Sequence, residues 1–153
     1  MRIEGAFQVD APPEVVWRYI TDPAHVGPSL PGCEEIQIIT SQLYKATIKV
    51  GVGPIKTIFR LDVEILEERF PEFVGSVTRG EEGERASRLT AHNELRLIPH
   101  EGGSTEVTYL SEVNVVGRLG KFGFGVMKKI ADKLGNEFAV ALCERIQQGG
   151  TQP

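Results

Sequence analysis

Apolar and polar residues alternate along most of the chain up to about Val116, and then the period changes. Ile3, Gly5, Phe7 and Val9 alternate with Arg2, Glu4, Ala6 and Gln8, the signature of a half-buried strand. The same two-residue period returns in Tyr44, Ala46, Ile48, Val50 and Val52, in Phe59, Leu61, Val63 and Ile65, in Leu89, Ala91, Asn93, Leu95 and Leu97, and in Val107, Tyr109, Ser111, Val113 and Val115. Adding Glu35–Thr40 and Phe73–Arg79 gives about seven strands. Their connections are short: Ser41-Gln42, Phe70-Pro71-Glu72, the polar turn Gly80-Glu81-Glu82-Gly83, and His100 to Ser104. Hairpin-length connections predict one antiparallel sheet with a wet face and a covered face.

From Leu119 the spacing becomes three and four. Leu119, Phe122, Val126, Met127, Ile130, Leu134, Phe138, Leu142 and Ile146 fall on one face of a long helix. That face needs a cover, and the sheet is the only large apolar surface in the chain. Two shorter helices follow the first strand. Pro12-Pro13-Glu14 starts one carrying Val16, Trp17 and Ile20; Asp22-Pro23 starts a turn that Gly27-Pro28 ends. The reading is α+β: a curved antiparallel sheet wrapped around a C-terminal helix, in a single domain over residues 1–148. Residues 149–153 read as a disordered tail.

Composition narrows the function. The 153 residues carry a net charge of −4, with 41% apolar and 25% charged residues. No basic field is present to displace phosphate counterions, which argues against nucleic acid as a partner. Glu4 interrupts the position where a signal peptide would have its apolar core, and no apolar run reaches the ~18 residues of a membrane span. Cys33 and Cys143 are isolated thiols. These features predict a cytoplasmic protein, with peripheral membrane contact compatible. His25, His92 and His100 are scattered, so no metal site is expected; no nucleophile elbow or Cys-His arrangement is present.

The concave face is the candidate site. Phe59, Leu61, Val77, Leu89, Ala91, Tyr109 and Val113 from the sheet would face Phe122, Met127, Ile130 and Leu134 from the helix. The same pattern would also serve a packed core. Asn93 and Ser111 fall on the inward parity, where they can bond each other, a water or a ligand head group. Tyr109 and Glu112 are the nearest acid–base candidates, but Glu112 has outward parity, so no catalytic residue is assigned. Gly117, Gly120, Gly123 and Gly125 surround Phe122 and Phe124. A glycine inside a helix costs about 1 kcal/mol relative to alanine. This segment therefore reads either as a mobile apolar gate or as a loop preceding a helix that starts after Gly125.

Several motifs resemble one family. They are Pro12, Glu14, Val16 and Trp17 followed by Asp22-Pro23; Leu30-Pro31-Gly32-Cys33; Tyr44-x-Ala46 running into Val52-Gly53-Pro54-Ile55; Thr105-x-Val107-x-Tyr109; and Gly117-x-Leu119. Together they are similar to the CoxG family of carbon monoxide dehydrogenase proteins, within the START-like, or Bet v 1-like (SRPBCC), superfamily. Gly83-Glu84-Arg85-Ala86 departs from the family's small residues there. The resemblance implies a helix-grip fold around an apolar cavity and no cofactor. It implies a quinone or lipid as ligand and a molybdenum hydroxylase of the carbon monoxide dehydrogenase type as partner. The alternatives are a cyclase or hydrolase using the same cavity, or an assembly factor whose outer surface matters.

Overall fold

The computed structural model describes residues 1–52, 55–83 and 87–149, leaving aside the side chains of residues 52 and 55. The chain runs β1 (Arg2–Val9), α1 (Pro13–Thr21), α2 (Pro23–Ser29), β2 (Cys33–Thr40), β3 (Leu43–Val52), β4 (Ile55–Arg69), β5 (Phe73–Glu82), β6 (Ser87–Pro99) and β7 (Thr105–Gly117). A 3-10 turn, Arg118–Phe122, then leads into α3, Gly123–Gly149. The seven strands form one antiparallel sheet in the order β1-β7-β6-β5-β4-β3-β2. Hairpins lay β2 to β7 side by side. The two short helices carry the chain from β1, at one edge, to β2 at the other.

Local chemistry accounts for the helical entries. Pro12 and Pro13 open α1, where a missing N–H costs nothing. The Asp22 carboxylate accepts from the Ala24 N–H at 3.0 Å and so caps α2. That helix runs through Gly27-Pro28 to Ser29, two residues past the stop expected there. Pro28 sits in its last turn, where the lost hydrogen bond matters little. At the other end of the chain, Gly117 (φ 98°) and Gly123 (φ 80°) hold left-handed backbone that glycine adopts without strain. They bracket the 3-10 turn, so the regular helix begins at Gly123: later than Leu119, earlier than the residue after Gly125. It continues to Gly149, into the stretch expected to be disordered; residues 150–153 lie outside the described residues.

Cross-strand partners share a face, so the register fixes what points at the helix. One inward row is Leu61, Gly80, Leu89 and Val115; the next is Val63, Thr78, Ala91 and Val113; the next is Ile65, Ser76, Asn93, Ser111 and Ile3. The apolar residues divide into two clusters. One holds Val9, Val16, Trp17, Leu97, Val107, Leu142 and Ile146, joining β1, α1 and the end of α3. The other holds Ala46, Ile48, Val50, Phe59, Leu119 and Ile130, under the first half of α3. Among the described residues no helix is long and apolar enough to cross a membrane.

Candidate functional site

A cavity of about 190 Å³ lies beneath the first half of α3. Phe59, Leu61, Leu89, Ala91 and Val113 line it from the sheet, and Met127, Ile130 and Leu134 from the helix. All eight stand on the expected concave face. Met1, Ile3, Ile48, Val50, Val115 and Ala131 complete the wall. Met1 joins because its backbone continues the β1 ladder, its carbonyl accepting the Val113 N–H at 2.7 Å. Ile48, Val50 and Val115 continue the inward alternation of their strands; that parity was readable, the curvature that brings β3 over the helix was not. An apolar cavity of ~150 Å³ accepts a benzene-sized molecule, so this one has room for a ring or a short acyl segment.

Two expected lining residues lie elsewhere. Val77 pairs with Glu64 and His92 and so has convex parity, although neighbours bury it. Phe122 is 39% exposed on the 3-10 turn and does not line the cavity; Phe124, 55% exposed, does not either.

The inward positions of β5 are polar. Ser76 and Thr78 face Asn93 and Ser111 across the ladder, and the four form one cluster. The Asn93 Nδ2 donates to Ser76 Oγ (3.3 Å) and Thr78 Oγ1 (3.0 Å), while Ser111 Oγ donates to Asn93 Oδ1 (2.7 Å). The cluster adjoins the cavity: Ile3 pairs with Ser111, and Ala91 pairs with Thr78. Tyr109 stands one row further, outside the cavity wall. Its hydroxyl lies in the space a side chain would need at Gly5 of β1, and close to where one would begin at Gly135 of α3. Tyr109 therefore spans the gap from sheet to helix, and only glycines at both ends let it fit. Polar cluster and tyrosine together separate the two apolar clusters.

A second buried group holds the helix entry in place. Glu82, read from sequence as part of a turn, is the last residue of β5 and is 1% exposed. It accepts from Thr57 Oγ1 (2.8 Å), Ser87 Oγ (3.2 Å), and Arg118 Nε and Nη2 (3.1 and 2.9 Å). Hydrogen bonds from Arg118 hold its carboxyl below the usual carboxylate range, against the opposing effect of burial. Ser87 Oγ also accepts the Leu119 N–H at 2.8 Å, and Leu119 is fully buried. Arg118 and Leu119 are thus pinned. After them Gly123 and Gly125 have open space around them.

The remaining candidates contribute no chemistry at the cavity. Burial raises the pKa of both Cys33 and Cys143, which are free thiols. Tyr44 is pushed up to about 12, first by burial and then by Cys33, so it stays protonated at neutral pH. No group of three metal-ligating side chains occurs among the described residues. The larger hollow, about 620 Å³, is on the convex face, walled by Glu35, Lys45, Arg60, Asp62, Arg79 and Arg88. Its charged, ion-paired rim suits solvent rather than an apolar molecule.

A single curved sheet closed by one long helix over an apolar cavity defines the START-type, helix-grip class. Solved structures share it. A conserved protein from Geobacillus kaustophilus superposes with a TM-score of 0.90 at 22% identity, covering 97% of this chain and 96% of that one. A START superfamily protein from Mycobacterium smegmatis gives 0.72 at 14% identity, covering 96% and 97%. The ZhuI aromatase/cyclase from Streptomyces sp. R1128 gives 0.69 at 14%, covering 99% and 98%. At these identities the likeness is one of fold. No curated protein matches the chain. The family model of the carbon monoxide dehydrogenase protein CoxG matches residues 5–147, and the chain belongs to the CoxG family.

Proposed function

We propose that this protein binds an apolar small molecule of the quinone or lipid class between its sheet and α3, and carries it for a molybdenum hydroxylase of the carbon monoxide dehydrogenase type. The cavity carries this reading: its wall is aliphatic, aromatic and thioether side chains, and it lies beside a compact polar cluster. Ligand sites of this kind pair an apolar wall with a few fixed polar groups. A packed core has no use for either the void or the hydroxyls. The wall brings no carboxylate, histidine or lysine to the cavity, which favours carriage over general acid–base chemistry.

Entry is by residues 120–126. The pinned Leu119 supplies a fixed end, Gly123 a hinge, and Phe122 and Phe124 an apolar flap. Native mass spectrometry of protein purified from its own host, followed by lipid extraction, tests the reading. A co-purifying isoprenoid or acyl lipid is expected. Protein that arrives empty and takes up neither quinones nor lipids in titration overturns it.

A further inference from the structure

The polar cluster has a direction that follows from counting protons. Asn93 uses both Nδ2 hydrogens on Ser76 and Thr78, and its Oδ1 receives the Ser111 proton. Ser76 and Thr78 act there as acceptors, so each keeps its own O–H proton. Neither proton meets an acceptor among the described residues, and the Tyr109 hydroxyl has none either. All three hydroxyls are half-buried on the concave face beside the apolar wall. A buried donor without an acceptor costs roughly 1–3 kcal/mol, so a sheet face that gathers three of them is built for something that accepts. A carboxylate is a poor guest, because no cation stands in the cluster to offset its desolvation. A neutral carbonyl oxygen fits: it accepts two hydrogen bonds and travels on an apolar body.

We propose that Ser76, Thr78 and Tyr109 form a head-group subsite that takes a neutral carbonyl oxygen of the ligand. Asn93 and Ser111 orient the two β5 hydroxyls, and the apolar part of the ligand lies toward Ile130 and Met127. The assignment rests on the carrier reading above and adds which chemical group is read and where.

The test compares two probes of nearly equal shape by calorimetry: 2,3-dimethyl-1,4-naphthoquinone and 2,3-dimethylnaphthalene. The methyl groups block addition of the Cys33 or Cys143 thiols to the quinone ring. The quinone is expected to bind about tenfold more tightly, the worth of one or two net hydrogen bonds. Thr78→Val keeps the side-chain shape and should reduce that preference severalfold, while Thr78→Ser retains it. Tyr109→Phe, which removes a different donor, should reduce it independently. Equal binding of the two probes, or a preference untouched by Thr78→Val and Tyr109→Phe, overturns the subsite but leaves the apolar cavity standing. Failure of both probes to bind the unmodified protein overturns cavity and subsite together.

Discussion

Filling the cavity separates stability from binding. Ala131 faces it from the middle of α3, where a larger side chain needs no new backbone geometry. At ~24 cal/mol per Å³, a void of this size forgoes about 4–5 kcal/mol of packing. Ala131→Leu adds three carbons, worth about 2.4 kcal/mol at ~0.8 each. Ordering the new side chain returns about 0.5–1 kcal/mol, and alanine's helix preference a few tenths more. The net expectation is a gain of about 1.5 kcal/mol, or roughly 3–6 °C in melting temperature for a chain of this length. Circular dichroism melts measure the first quantity, and titration with 2,3-dimethyl-1,4-naphthoquinone measures the second. The variant should melt higher and bind at least tenfold more weakly. A lower melting temperature would mean the space is already filled by side chains. A higher one with binding intact would put the ligand elsewhere.

Three further outcomes follow from the same geometry. Glu82 ionises at lower pH in the folded state than the ~4.3 of an unfolded glutamate, so its contribution is full above that value and lost as pH falls through the folded one; urea midpoints from pH 6 down to 3 should fall more steeply for the unmodified protein than for Glu82→Gln, and parallel curves would refute the role of Arg118. Gly32 sits at φ 74° with the Lys49 carbonyl oxygen 2.1 Å from where a Cβ would stand, so Gly32→Ala should lose at least about 2 kcal/mol in urea denaturation, and an unchanged midpoint would show that the turn rearranges freely. Hydrogen exchange should be faster in residues 120–126 than in 130–140; equal protection removes the gate.

Alternation made most of this fold legible. β1, β3, β4, β6 and β7 keep a clean two-residue period, and the family's motifs fall along the same strands. The site was harder to see because it breaks the rule used to find it. In β5 the polar Ser76 and Thr78 point inward while the apolar Phe73 and Val77 point outward, Phe73 lying between the Arg69 and Arg96 guanidiniums at 4.2 and 4.6 Å. Equating apolar with inward places Val77 in the cavity and overlooks Thr78. The irregular register between Ile65 and Glu67 compounds this, because parity in β5 cannot be carried across a bulge by counting from β4. Glu82 was obscured for a related reason: Gly80-Glu81-Glu82-Gly83 has turn composition, and only the partner Arg118, 36 positions away, makes a buried carboxylate affordable. Gate composition was visible in the glycines; that Leu119 is fixed while Gly123 is not depends on Ser87, which no local pattern links to it.

The division of the apolar interior into two clusters has a consequence for how this protein can change over generations. The cluster of Trp17, Val107, Leu142 and Ile146 ties the first strand to the end of the last helix, so substitutions there threaten the whole chain. The cavity wall shares few of those residues, and effects at separated sites add rather than compound. Side chains around the cavity can be exchanged while the other end keeps the molecule folded. Ligand preference is thereby released from the constraint that usually keeps interiors invariant, and the family can diversify its cargo on one unaltered frame.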